Sequence, residues 1–402
     1  MKKAIFIFSI FLIVKTESRG QRQAGIDELI TVDVRRNYPS KKEVILQDFM
    51  DVEYVSLETN DDFVNQGAVM DIGKEIILVK NRIGDGDIFV YDRHGKALRK
   101  INRKGQSGEE YTSILSITLD EDNGEMFVND SNIRRIYVYD LYGKFKRKFE
   151  HSESANYKYY TNLFNYDKSN LIGYNINDKE IAYHLISKQD GHINDEIKIP
   201  FKEKKNLSQF KQDPDANNRD PDIPDGWVSG TIMSPPGTRP IIPYKGKWIL
   251  IEFSSDTVYT FMPDYSLYPI IARIPSVQSM APEVMLNLRL VSERYYFMEK
   301  ITNEVDWKTG TGFPRTSFIY DKQEKAFSDY SLFNGDFSTK KQIPTGLFRP
   351  VNHEIASWQA LESFELVESY KKGELKEGKL KEIASKLNEE DNPVIMLIKH
   401  KK

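Results

Sequence analysis

The chain has 402 residues, and 39% of them are hydrophobic, enough to bury a sizeable core. Lys and Arg number 57 against 60 Asp and Glu. The resulting net charge of -3 excludes a nucleic-acid binder that relies on a basic surface. Cys is absent, which removes disulfides, thiolate metal sites, a Cys nucleophile and a Cys-borne lipid anchor.

Lys2 and Lys3 precede an apolar run from Ala4 to Val14, too short to span a bilayer of about 30 Å. A basic start, a short apolar centre and a polar flank form the secretory signal pattern. Residues 1–20 are therefore read as a signal peptide, with Ser18 and Gly20 as the small residues ahead of a cut before Gln21. The alternative is an uncleaved anchor; both place the body outside the cytoplasm, periplasmic or secreted. No second apolar run approaches membrane length, so no transmembrane segment is expected in the mature chain.

A repeat follows. Residues 88–101 (IFVYDRHGKALRKI) align with 136–149 (IYVYDLYGKFKRKF) at an offset of 48. Tyr91, Asp92, Gly95 and Lys96 match Tyr139, Asp140, Gly143 and Lys144. A period in the forties filled with short strands predicts propeller blades. Each Asp can cap the amides of a turn, and each Gly tolerates the positive φ at its end. The strand before each turn is apolar on both faces, as a sheet sandwiched between neighbouring sheets requires. Two more strands precede each hairpin, at 68–72 and 75–80, then at 114–119 and 125–129. That makes four strands per unit.

Later units are more degenerate. The third has strands near 171–176 and 181–187 with a turn at Asp190-Gly191. The fourth has 248–253 and 256–261 with a turn at Pro263-Asp264, and the fifth has 316–320 before Asp321. The sixth collects 347–358 and 393–399 with an N-terminal strand, for which Val52–Leu57 is the expected partner. The predicted fold is an all-β, six-bladed propeller with four-stranded antiparallel blades, one domain over residues 21–402. Residues 202–240, rich in Pro, Asp, Asn and Gly, read as a long loop. Limited proteolysis is expected to cut there first; resistance while other loops are cut would show that it is docked. Helical spacing appears at 360–370 and 379–387.

The chain resembles the exported bacterial six-bladed β-propeller family related to NHL-repeat proteins. The resemblance is carried by residues 54–59 (YVSLET), the Tyr-Asp-x-x-Gly-Lys hairpins, 105–111 (GQSGEEY), 255–259 (SDTVY) and 390–394 (EDNPV). It departs at Ser107-Gly108, where that family often has Gly-Pro, and in lacking the family's lipid-anchored Cys. The resemblance implies a fold and an address, not a reaction.

Candidate chemistry is sparse. The histidines, His94, His151, His184, His192, His353 and His400, form no His-x-x-x-His pair and read as packing or surface residues. Asp213, Asp215 and Asn217 have the opening spacing of a Ca²⁺ loop, but Asn218 and Pro224 stand where its Gly and bidentate Glu belong. A solvated loop is the favoured reading, and no cofactor is expected. Trp227, Trp248, Trp307 and Trp358 can stack on sugars or pack internally. Two function classes remain. The first is an exported binding protein, monomeric, for a glycan, peptide or envelope protein; the second is a lyase or hydrolase at the channel mouth.

Overall fold

The structure, a computed structural model, describes residues 27–81, 84–130, 132–150, 160–176, 178–205, 207–212, 230–235 and 237–401. The signal segment 1–20, the Ca²⁺ candidates Asp213, Asp215 and Asn217, His151 and Trp227 lie outside the described residues.

The repeat folds as its chemistry dictates. The first blade runs Ala68–Ile72, Ile76–Lys80, Asp87–Asp92, Ala97–Asn102, each strand antiparallel to the next. The second runs Ser116–Asp120, Glu125–Asp130, Arg135–Asp140, Phe145–Glu150. In each hairpin turn one Asp oxygen accepts two amides. Asp92 Oδ1 accepts from His94 N at 2.8 Å and Lys96 N at 2.9 Å. Asp140 Oδ1 accepts from Tyr142 N and Lys144 N, both at 2.9 Å. Gly95 has φ +87°, and a Cβ there would sit 2.0 Å from the Ser56 carbonyl oxygen, so the turn can press against the neighbouring blade only as glycine.

The third blade comprises Tyr160–Asn165, Asn170–Asn175, Tyr183–Ser187 and Ile193–Ile197. The fourth comprises Ile241–Tyr244, Lys247–Leu250, Thr257–Phe261 and Leu267–Ile274. The fifth comprises Val284–Val291, Tyr295–Thr302, Arg315–Asp321 and Ala326–Phe333. The sixth has three strands, ordered Ile355–Leu361, Val394–His400, Met50–Ser56. The expected closure is present: Val394 pairs with Ser56 and Ile398 with Val52.

Burial follows this plan. Six apolar clusters each join consecutive blades. Ile88 and Val90 pack with Met126 and Tyr137 between the first and second. Val55, Ile395 and Leu397 pack with Ile77 and Phe89 between the sixth and first, which closes the ring. The remaining four join the second to third, third to fourth, fourth to fifth and fifth to sixth blades. Innermost strands are also tied laterally. Asp71 Oδ2 accepts from Leu119 N at 2.7 Å, and Thr118 Oγ1 donates to Leu163 O at 2.9 Å.

Three features differ from expectation. Ile30–Asp33 and Lys41–Ile45 add to the outer edges of the fourth and fifth blades as parallel strands. They belong to blades more than 200 residues downstream, so no local repeat reveals them. Residues 360–370 are not helical throughout: Ala360 and Leu361 pair with Ile395 and Val394, and the helix starts at Ser363. Residues 202–240 are not wholly loop, because Gln209–Gln212 pairs antiparallel with Gly230–Met233. These strands are mostly exposed on both faces, so they leave no alternating apolar pattern to read.

Candidate functional site

In a four-stranded antiparallel blade the outermost strand ends where the next innermost strand begins. The blade-to-blade loops therefore gather at one end of the central channel. At that end lies a cavity of about 740 Å³ whose wall takes residues from five blades and from the segment that leads into the fourth. Met70, Ser116 and Leu163 come from the innermost strands of the first three blades. Arg239 precedes the fourth blade, Arg315 begins the third strand of the fifth, and Trp358 is on the sixth. Arg349, on the loop from the fifth to the sixth blade, completes this side.

Arginine dominates the electrostatics. Arg289, on the innermost strand of the fifth blade, is 2% exposed and lies directly behind cavity-lining Gly237, to whose carbonyl it donates. Its other terminal nitrogen pairs with buried Glu299. The same Glu299 oxygen accepts from Asn287 at 3.1 Å and Arg315 at 3.2 Å. Arg239 donates to the carbonyls of Thr238 at 2.8 Å and Phe348 at 3.3 Å, neutral acceptors that orient the guanidinium without cancelling its charge. Burial, then repulsion from Arg349 and Arg289, pulls the Arg239 pKa down to about 9 against the opposing pull of Glu299. Burial also lowers that of Arg315.

Asp71 lies deep in the channel and faces both this cavity and a second one of about 490 Å³ at the opposite end. Burial raises its carboxyl to about 7, against the amides of Leu119 and Ile72, which favour the ionised form. The second cavity includes Trp248, Asn352 and His353. His353 stacks edge-on against Trp248 at 4.6 Å, and burial lowers its pKa to about 4, so it is neutral.

Asp71 yields a pH prediction. Its folded pKa lies above the unfolded value, so its contribution to stability is fully present below about pH 4. That contribution is lost as pH rises toward 7, because the unfolded chain ionises first. Asp71→Asn is expected to gain about 2–4 kcal/mol over the parent at about pH 8 and nothing near pH 4, by urea denaturation. Equal effects at both pH values would contradict this.

The other histidines are scattered. His184 is buried against Tyr160 at 3.2 Å, His400 packs edge-on with Tyr244, and His94 and His192 sit in or beside hairpin turns. Among the described residues no three His, Asp or Glu side chains come together as a metal-binding group. Of the three tryptophans described, Trp358 lines the first cavity and Trp248 the second. Sequence reasoning missed the arginines. Arg239, Arg289, Arg315 and Arg349 have no shared motif or spacing, and only their meeting in or behind one cavity wall distinguishes them.

Comparison with known proteins supports the architecture. A "putative exported protein" of Bacteroides fragilis NCTC 9343 matches at 14% identity and a TM-score of 0.54, over 93% of this chain and 100% of that one. A member of the DUF4221 family from Bacteroides vulgatus ATCC 8482 matches at 9% identity and TM-score 0.42, over 88% and 98%. Virginiamycin B lyase from Staphylococcus aureus matches at 11% and 0.34, over 75% and 92%. At 14% identity the first likeness speaks to fold alone, and the fold argument rests on it rather than on the other two. No curated protein matches the chain. Among the described residues no helix is long and apolar enough to cross a membrane. A family model described as a domain of unknown function, DUF4934, matches residues 29–399, and the chain belongs to that family.

Proposed function

We propose that this protein is an exported binding protein of the cell envelope that takes its ligand or partner at the arginine-lined mouth of the channel. The observation that carries the reading is the cavity of about 740 Å³ at the end where the blade-connecting loops gather, walled by five blades and the segment that leads into the fourth. Cavities of this size suit small ligands, and loops on a rigid scaffold commonly carry function. Lys2, Lys3 and the Ala4–Val14 run support export, and the fold shared with a Bacteroides protein described as exported agrees with that address.

The test is capture from the native envelope, with the protein as bait and a channel-filled variant, Ser116→Trp, beside it. Ser116 Oγ has no hydrogen-bond partner, so its replacement sacrifices no bond. The expected result is a ligand or partner retained by the parent and lost by the variant, with the protein itself in the envelope or secreted fraction. Equal capture by both would remove the channel reading, and a cytoplasmic mature protein would remove the address.

A further inference from the structure

We propose that the sixth blade holds an open slot for a fourth strand, and that an extended segment of another protein, apolar and basic by turns, fills it. The first five blades have at least four strands each, whereas the sixth ends at Met50–Ser56. In an antiparallel pair every second N–H and C=O of a strand points away from its partner. Met50–Ser56 pairs with Val394–His400 on one side only, so its outer edge is a row of backbone donors and acceptors with no strand beside it. A groove of about 590 Å³ runs along that edge, with Val52, Glu53, Tyr54, Val55 and Ser56 all in its wall. A further cavity of about 280 Å³ continues it from Ser56 to Thr59, and Lys379 and Ile383 line both parts. These two residues belong to the helix Lys379–Ala384, which forms the far wall. The groove shares no lining residue with the cavity at the channel mouth, so it is a separate site.

The wall adds bonding capacity and charge to the open edge. Arg93, in the groove wall, has a terminal nitrogen buried with no hydrogen-bond partner, a donor for an incoming carbonyl. Three carboxylates of the wall, Glu58, Asp336 and Asp391, are bonded by neutral donors. Ala97 N donates to Glu58 at 3.0 Å, Tyr54 Oη to Asp336 at 2.7 Å and Asn388 N to Asp391 at 2.7 Å. Such bonds fix the carboxylates without cancelling their charge. The cations at the groove are matched to its other two carboxylates. Glu53 takes Lys399 at 3.2 Å and Arg93 at 3.7 Å, and Glu382 takes Lys379 at 3.2 Å and Lys386 at 3.0 Å. The groove therefore favours basic side chains in its occupant.

The ring itself shows what a fourth strand looks like. The outer strands of the first two blades, Ala97–Asn102 and Phe145–Glu150, turn an apolar residue, an Arg and an apolar residue inward at alternate positions. These are Ala97, Arg99 and Ile101 in one and Phe145, Arg147 and Phe149 in the other, while Lys100, Lys146 and Lys148 face out. A segment of that pattern suits the slot. Its backbone would pair with Met50–Ser56, its apolar groups would meet Val52, Ile383 and Leu387, and its basic groups would lie beside the three carboxylates. The chain's own outer strands are hydrogen-bonded within their blades, so the donor is another protein. The helix on one side and the turn at Arg93 and His94 on the other leave room for a single extended chain, not for the broad face of a second ring.

The test is titration of the full chain with a synthetic peptide, KFKRKFE, the sequence of residues 144–150, with hydrogen–deuterium exchange read at Met50–Ser56. Saturable one-to-one binding is expected. Alternate amides of Met50–Ser56, fast to exchange in the free protein, should become protected when the peptide is bound. The same peptide with Pro in place of Arg147 and Lys148 should not bind, because it loses two consecutive backbone donors. A version with Ser in place of every Lys and Arg should bind about tenfold more weakly. Lys379→Trp fills the groove from a side chain that is 62% exposed, so the fold is kept, as circular dichroism would check. It should weaken binding of KFKRKFE about tenfold. No binding of KFKRKFE, equal binding of either control peptide, binding without protection at Met50–Ser56, or unchanged affinity in Lys379→Trp would overturn the proposal. Protection of the same amides that grows with protein concentration in the absence of peptide would give the edge to a second copy of the chain, and would overturn it too.

Discussion

Deleting residues from Asn392 onward is expected to leave an insoluble or molten product. Val394 to Ile398 form the middle strand of the sixth blade, hydrogen-bonded to Ile355–Leu361 on one side and Met50–Ser56 on the other. All five side chains are fully buried. Val394, Met396 and Ile398 face the fifth blade's cluster, while Ile395 and Leu397 face the first blade's. At about 1.5–3 kcal/mol each, their burial is worth roughly 8–15 kcal/mol, the size of a whole domain's net stability of about 5–15 kcal/mol. Asn392 is part of the same closure. Its amide donates to the carbonyls of Glu58 at 2.9 Å and Phe63 at 2.6 Å, and its oxygen accepts from Asn65 N at 2.8 Å. Deletion also opens two sheet edges to aggregation. Solubility, size-exclusion behaviour and near-ultraviolet circular dichroism check the result. A truncated chain that is soluble, monomeric and cooperatively folded would show that the ring closes without this strand.

The second large effect is expected at Glu299. One of its oxygens accepts from Arg289, Arg315 and Asn287, and both Arg289 and Glu299 are almost completely buried. Glu299→Gln preserves the shape and removes the charge, so the Arg289 cation is left in the interior without its counter-charge. Breaking a buried pair from one side costs about 3–5 kcal/mol. Replacing both partners, Arg289→Met with Glu299→Met, is expected to recover most of that loss, because no buried charge remains. Urea denaturation of the three proteins separates the cases. A loss below about 1 kcal/mol for Glu299→Gln, or a double variant worse than the single, would contradict the account.

Much of the architecture was legible because its causes are local. Asp92 and Gly95, repeated as Asp140 and Gly143, close their turns with amides two and four residues away, so the pattern is visible in a short window. Strands apolar on both faces, such as Ile88–Tyr91, announce a sheet covered on both sides, and all four residues are buried. The closing strand was legible because Val394–Ile398 is too apolar to be left in water.

The sequence by itself therefore determined the hairpins, the blade plan and the closing strand, since capping, positive φ and two-faced burial act within a few residues. Only the tertiary structure decided where Ile30–Asp33 and Lys41–Ile45 pair and which side chains meet in the channel. Residues 239 and 349 are 110 positions apart, with Arg289 and Arg315 between them, and they share no motif. Closing the ring brings the segments around the fourth, fifth and sixth blades to one channel mouth, so charges that are unremarkable along the chain meet at one cavity, two of them on the carboxylate of Glu299.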